Sequence, residues 1–137
     1  MASGDRLEWL AEEIPDSDLL YLRVHRNHAP DGELGFAAFR DHSPPGNALA
    51  KAGMSTHWSK YADPEEIIEH KTRSPQDNGI VQMLVGDVRA IPRLSVEHTP
   101  LPDDRSHTDV FGPKDTQSRL ALQRACSWVI RVPPPKG

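Results

Sequence analysis

Leu19-Leu20-Tyr21-Leu22-Arg23-Val24-His25 is the stretch on which the fold turns. Leu20, Leu22 and Val24 alternate with Tyr21, Arg23 and His25. Side chains in a strand point to opposite faces in turn, so this pattern predicts a strand with one apolar and one polar face. Upstream, Leu7, Leu10, Ala11 and Ile14 fall at i, i+3, i+4 and i+7, the stripe of an amphipathic helix ended by Pro15 and Asp16-Ser17-Asp18.

Downstream, Arg26 to Leu34 is polar, contains Pro30 and Gly32, and reads as a loop. Phe36 to Arg40 is a short strand candidate, Asp41 to Gly46 a loop broken at Pro44-Pro45-Gly46, and Ala48 to Ala52 a single helical turn or no regular structure. Met54 to Trp58 reads as another short strand. Asp63-Pro64-Glu65-Glu66 is the best local signal: an aspartate to accept from first-turn amides, a proline suited to the first helical position, and a glutamate able to close a capping box. A helix is predicted from Pro64 to about Lys71, then a turn-rich loop from Ser74 to Gly79. Ile80 to Leu84 reads as a buried strand, Asp87 to Ile91 as a short helix or turn, and Leu94 to His98 as a strand with Leu94, Val96 and His98 on one face. A proline loop, Pro100 to Arg105, leads into a strand from Ser106 to Phe111. Gly112-Pro113 opens a last helix whose stripe is Leu122, Ala125, Cys126 and Val129.

Helices and strands intermingle without regular βαβ alternation, and no glycine-rich phosphate loop follows a strand. That predicts an α+β domain with a small mixed or antiparallel sheet and about three helices. Residues 1–132 form the single domain and 133–137 a proline-rich disordered tail in this reading. The length of 137 residues suits one domain that builds its own core without a staple. A single cysteine, Cys126, leaves no disulfide framework and fits a reducing compartment. Asp5, Arg6, Glu8, Glu12 and Glu13 interrupt any signal-peptide core, and no apolar run is long enough to cross a bilayer. A cytoplasmic location is expected. The formal charge of −4 disfavours general nucleic-acid binding, because a negative field repels phosphate backbones.

Several residues carry possible chemistry. His25 and His28 have the spacing of a metal pair, but no third ligand follows, so no metal is expected. His98 and His107 flank the proline loop, and pairing of the strands beside it would bring both imidazoles towards Asp109. Histidine moves protons near neutral pH, and a carboxylate beside it fixes its tautomer. His98 has a structural alternative on the apolar face, bonded to a loop carbonyl. The pair His98-Thr99-Pro100 and His107-Thr108-Asp109 departs from the two-histidine phosphoesterases, with threonine one place too early. Cys126 reads as an inert core residue, and Ser43 and Ser55 lack the Gly-x-Ser-x-Gly elbow.

The order Arg23, Ser55-Thr56, Glu97 on three strands is similar to the motifs of ADP-ribosyltransferases. That likeness implies NAD as ligand, with Arg23, His25, Ser55 and Glu97 binding it. The chain departs from the pattern at Ser95, where the family usually has Glu or Gln. More broadly, Leu20 to His25, Ala38-Phe39-Arg40, Met54-Ser55 with Trp58, and Pro100 to His107 with Gly112 resemble a group of short bacterial proteins of unassigned function. That resemblance implies a bacterial cytosolic protein and names no cofactor.

Two functions follow as expectations. One is a binding or interaction module with a protein partner or small-molecule ligand. The other is a small enzyme acting on a nucleotide-like ligand by ADP-ribosyltransferase-like or phosphate-ester chemistry. In the enzyme, Arg23 and His25 hold an anion, and His107 with Asp109 and His98 moves protons. An enzyme requires these groups to share one concave pocket, whereas a module leaves them scattered.

Overall fold

The structure, a computed structural model, describes residues 9–42 and 52–133. Strand β1, Leu19–His25, forms where the alternation places it, with Leu20, Leu22 and Val24 buried and Arg23 exposed. It pairs with β2, Met54–Trp58, on one side and β3, Asn78–Leu84, on the other. Beyond these lie β4, Ser95–His98, β5, His107–Phe111, and β6, Cys126–Ile130. The order is β4-β5-β2-β1-β3-β6 and every pairing is antiparallel. Three α-helices, α1, Pro64–His70, α2, Val85–Arg89, and α3, Thr116–Ala125, and four short 3-10 turns complete the described residues. The domain is α+β with one six-stranded antiparallel sheet.

Register decides which side chains meet. Leu20, Leu22, Met54, Thr56, Trp58, Val81, Met83, Val96, His98, Thr108 and Val110 share one face. The apolar members make the main core with Phe39, Val85, Val88 and Leu122, contributed by the chain that crosses beneath the sheet. Each such side chain stabilises by about 1.5–3 kcal/mol relative to exposure. The opposite face carries Arg23, His25, Ser55, His57, His107 and Asp109. Helix α1 covers only part of it, where Ile67 and Ile80 are buried apart from the main core. Asp63 caps α1 by accepting from the Glu65 amide at 2.9 Å, and Pro64 occupies its first turn.

Gly79 is required by the crossing of β6 and the residues after it. A β-carbon there would stand 2.5 Å from the Ile130 carbonyl oxygen and 2.7 Å from the Val132 nitrogen.

Three expectations are corrected. Residues 9–14 are not helical; Ile14 is buried but Leu10 is 84% exposed, and the predicted helix's Leu7 lies outside the described residues. Here tertiary polar bonds override periodicity: the Glu12 amide donates to His98, and Arg89 donates to the Ile14 carbonyl. Pro15 also turns the residue before it away from the α conformation. Phe36–Ala38 is a 3-10 turn rather than a strand, with Phe39 closing onto the Phe36 carbonyl. The last helix stops at Ala125, and Cys126–Ile130 becomes the edge strand β6. The helical turn or irregular stretch expected over 48–52 lies outside the described residues but for Ala52, and the tail expected over 133–137 but for Pro133.

Candidate functional site

β1 and β2 are paired only at Leu20 with Trp58 and Tyr21 with His57. Past that point the two strands part, and an open cleft of about 1050 Å³ lies where they separate. Its floor is the polar face, with Arg23 and His25 from β1, Ser55 and His57 from β2, and His107 from β5. The Lys71–Ser74 segment after α1, the Asp103-Asp104 turn before β5, and Arg40 with His42 form its walls. Arg119 Nε donates to the Phe39 carbonyl at 3.1 Å, and the Lys114 ammonium bonds Asp41 at 2.7 Å, which ties the last wall to α3 and the end of β5.

His107 is the most constrained group on this floor. Its Nδ1 lies 2.9 Å from the Thr99 carbonyl and 3.0 Å from Thr99 Oγ1. Thr99 Oγ1 donates to Asp109 Oδ2 at 2.8 Å, so its proton is committed. A carbonyl only accepts, which puts the proton of His107 on Nδ1. Nε2 is left as an acceptor, with Ser55 Oγ 3.2 Å away. The result is a chain from serine hydroxyl to imidazole to threonine to carboxylate, in which a hydroxyl stands beside a ring nitrogen that a third group orients. Asp109 itself is 4.0 Å from the imidazole, so it acts through Thr99.

His57 stands opposite His107 on the neighbouring strand. Its Nδ1 is 3.0 Å from Ser106 Oγ and 3.2 Å from Asp104 Oδ2. Ser106 donates its amide and hydroxyl to Asp104 at 3.1 and 2.6 Å, and Lys71 Nζ approaches the same carboxylate at 3.2 Å. Burial pushes the Asp104 carboxyl up. Hydrogen bonds from His57 and Ser106, with the charges of His57 and Lys71, outweigh it and hold the group well below the usual carboxylate range. Arg23 Nη1 donates to the Lys71 carbonyl at 2.5 Å and links β1 to the same wall.

The cleft gathers His25, His28, His42, His57, His70 and His107, which is six of the chain's seven histidines. It also gathers Arg23, Arg40, Lys71 and Arg73 against Asp103 and Asp104. Burial lowers the pKa of His28 and His42, and the nearby charge of Arg40 lowers both further. A local positive field therefore sits on a chain of net charge −4.

Three of the expected site residues do not line the cleft; Asp109 is one, linked to it only through Thr99 and His107. His98 is 4% exposed on the core face. Its Nδ1 accepts from the Glu12 amide at 3.0 Å, Nε2 meets the Arg105 carbonyl at 2.6 Å, and the ring packs edge-on against Trp58. Both nitrogens are committed, so His98 joins the N-terminal segment to the β4–β5 loop. Glu97 sits on edge strand β4 opposite Asp109 and does not line the cleft. Arg23, His25, Ser55 and His107 do come together there. His25 and His28 face each other with ring centroids 6.5 Å apart, and His25 Nδ1 accepts from the Asn27 amide. Among the described residues no group of three potential metal ligands is assembled.

Sequence reasoning missed His57, Asp104, Thr99 and Lys71 as site residues. One signal was present: Ser55 and His57 are two apart on a strand, hence on one face. A second recess of about 380 Å³, between Leu34, Val81 and Trp128, holds Cys126 and Glu33. Burial pushes the Cys126 thiol up to about 12, which removes it as a nucleophile. No helix among the described residues is long and apolar enough to cross a membrane. No protein-family model, curated protein or solved structure matches the chain, so the reading of the site rests on its own geometry.

Proposed function

We propose that this protein is a small enzyme acting on a nucleotide-like, phosphate-bearing ligand by phosphate-ester chemistry. The observation that carries the reading is the Ser55–His107–Thr99–Asp109 chain, whose serine and imidazole lie on the floor of a histidine- and arginine-lined cleft. Ser55 is the nucleophile, His107 Nε2 takes its proton, and Thr99 with Asp109 fixes the imidazole. Arg23, Arg40 and Arg73 supply the positive field that draws an anion in and balances its charge in the transition state. The cleft volume suits a mononucleotide or larger ligand.

ADP-ribosyl transfer draws less support. Arg23 and Ser55 line the cleft, but Glu97, the acid that chemistry needs, lies on the edge strand. An interaction module also draws less. Among the described residues the exposed large apolar ones are Leu10, Leu84 and Val129, each on a separate segment, where docking favours a contiguous patch.

The test has two readouts. Thermal unfolding with AMP, ADP and inorganic phosphate measures binding; a ligand at a hundred times its Kd stabilises by about 2.7 kcal/mol. Hydrolysis of 4-nitrophenyl phosphate esters measures turnover. Ser55→Ala and His107→Ala are each expected to cut turnover by about 10²–10⁴ while leaving the ligand-induced melting shift in place. Absence of both a shift and turnover in the wild-type protein would refute the reading.

A further inference from the structure

We propose that His57, held by Asp104, is the general acid of this site and that its substrate is a phosphodiester with a poorly stabilised alkoxide leaving group. The inference rests on the reading of Ser55 and His107 given above. Four observations support it. His57 and His107 are direct cross-strand partners on β2 and β5, so their rings share the cleft floor. Their side chains are also nearly equally shielded, at 16% and 15% exposure.

Both rings are tied at Nδ1, which leaves both Nε2 atoms for chemistry. His107 Nε2 already faces Ser55 Oγ, while His57 Nε2 has no protein partner among the described residues.

The partners at Nδ1 then separate the two roles. His107 is held by a carbonyl and a hydroxyl, with Asp109 no nearer than 4.0 Å, so a neutral imidazole is fully satisfied there. His57 is held by the ionised Asp104 at 3.2 Å, which balances a positive imidazolium; Lys71 engages the other oxygen of that carboxylate. Two titratable groups of one kind in contrasting surroundings are the usual means of dividing base from acid.

The step balances without a cofactor. Ser55 Oγ bonds to phosphorus as the bond from phosphorus to the leaving oxygen breaks. The Ser55 proton passes to His107 Nε2, and the His57 Nε2 proton passes to the leaving oxygen, which departs as an alcohol. Water then attacks the phosphoserine, giving one proton to His57, while His107 returns its proton to Ser55 Oγ. The net change is diester plus water to monoester plus alcohol.

Leaving-group dependence tests this. A 4-nitrophenolate departs without protonation, whereas an alkoxide does not. Wild-type protein, His57→Gln, Asp104→Asn and His107→Gln are compared on bis(4-nitrophenyl) phosphate and on a dinucleoside phosphate. His57→Gln is expected to lose about 10²–10⁴ on the dinucleoside phosphate and less than about tenfold on the nitrophenyl diester. Asp104→Asn, assayed below its melting transition, repeats that asymmetry, and His107→Gln loses on both substrates. Equal losses by His57→Gln on both, or none on either, overturn the assignment while the reading of Ser55 and His107 stands. Wild-type protein inactive on both diesters overturns the underlying reading and this assignment with it.

Discussion

Asp104→Asn is the substitution whose cost the structure defines most fully. The carboxylate is 13% exposed and accepts from the Ser106 amide at 3.1 Å and its hydroxyl at 2.6 Å. It also meets His57 Nδ1 and Lys71 Nζ, each at 3.2 Å. An asparagine amide presents one donor group where both oxygens now accept, so a donor faces either the His57 or the Ser106 side. Hydrogen bonds to charged groups contribute about 1.5–3 kcal/mol, and breaking a buried pair costs about 3–5 kcal/mol. Partial exposure places this case at the low end of those ranges, about 3 kcal/mol. At about 2.1 cal/mol/K per residue, a 137-residue domain unfolds with about 0.29 kcal/mol/K. The expected loss in Tm at neutral pH is therefore about 10 °C. The pH dependence has a definite sign, because the folded-state pKa lies below the unfolded value of about 3.9. The carboxylate's contribution is fully present above that unfolded value and fades as pH falls towards the folded one. Calorimetric melts of both proteins between pH 7 and pH 2.5 check this. The gap stays level down to about pH 4 and narrows below it. A variant melting within about 2 °C of wild type, or a gap that persists unchanged into acid, refutes the reasoning.

Two further outcomes separate structural from functional groups. His98→Ala is expected to cost about 3 kcal/mol or more in denaturant unfolding, because it leaves the Glu12 amide and the Arg105 carbonyl without partners and a cavity beside Trp58. His107→Ala is expected to cost about 1 kcal/mol, since its ring lines an open cleft; equal losses for the two would reverse their roles. Cys126, with its thiol pushed up to about 12, stays protonated at pH 8. Iodoacetamide then labels it only after unfolding, and rapid labelling of native protein by mass spectrometry would contradict that burial.

How far the sequence discloses this molecule depends on the range of the interactions that decide each part. β1 and α1 are legible because their causes are local: a period of two over seven residues, and Asp63 placed before Pro64. The N-terminal segment misleads because its periodicity is real but its backbone is claimed by His98 and Arg89, 86 and 75 residues away. Cys126 to Ile130 extends a helical stripe on paper, yet Trp128, Val129 and Ile130 favour a pleated edge, and β3 offers the ladder that completes it. The site follows the same division. Ser55 and His57 share a face by local spacing alone, and so do His107 and Asp109. That Ser55 meets His107 depends on β2 pairing with β5 in one register out of many, with Ser55 opposite Asp109 and His57 opposite His107. A slip of one residue would turn Ser55 and His57 into the core and bring Thr56 to the cleft. The buried Met54, Thr56 and Trp58 forbid that slip. The packing of the apolar face thus holds the polar face in register, and stability and chemistry are set by alternate residues of the same strand.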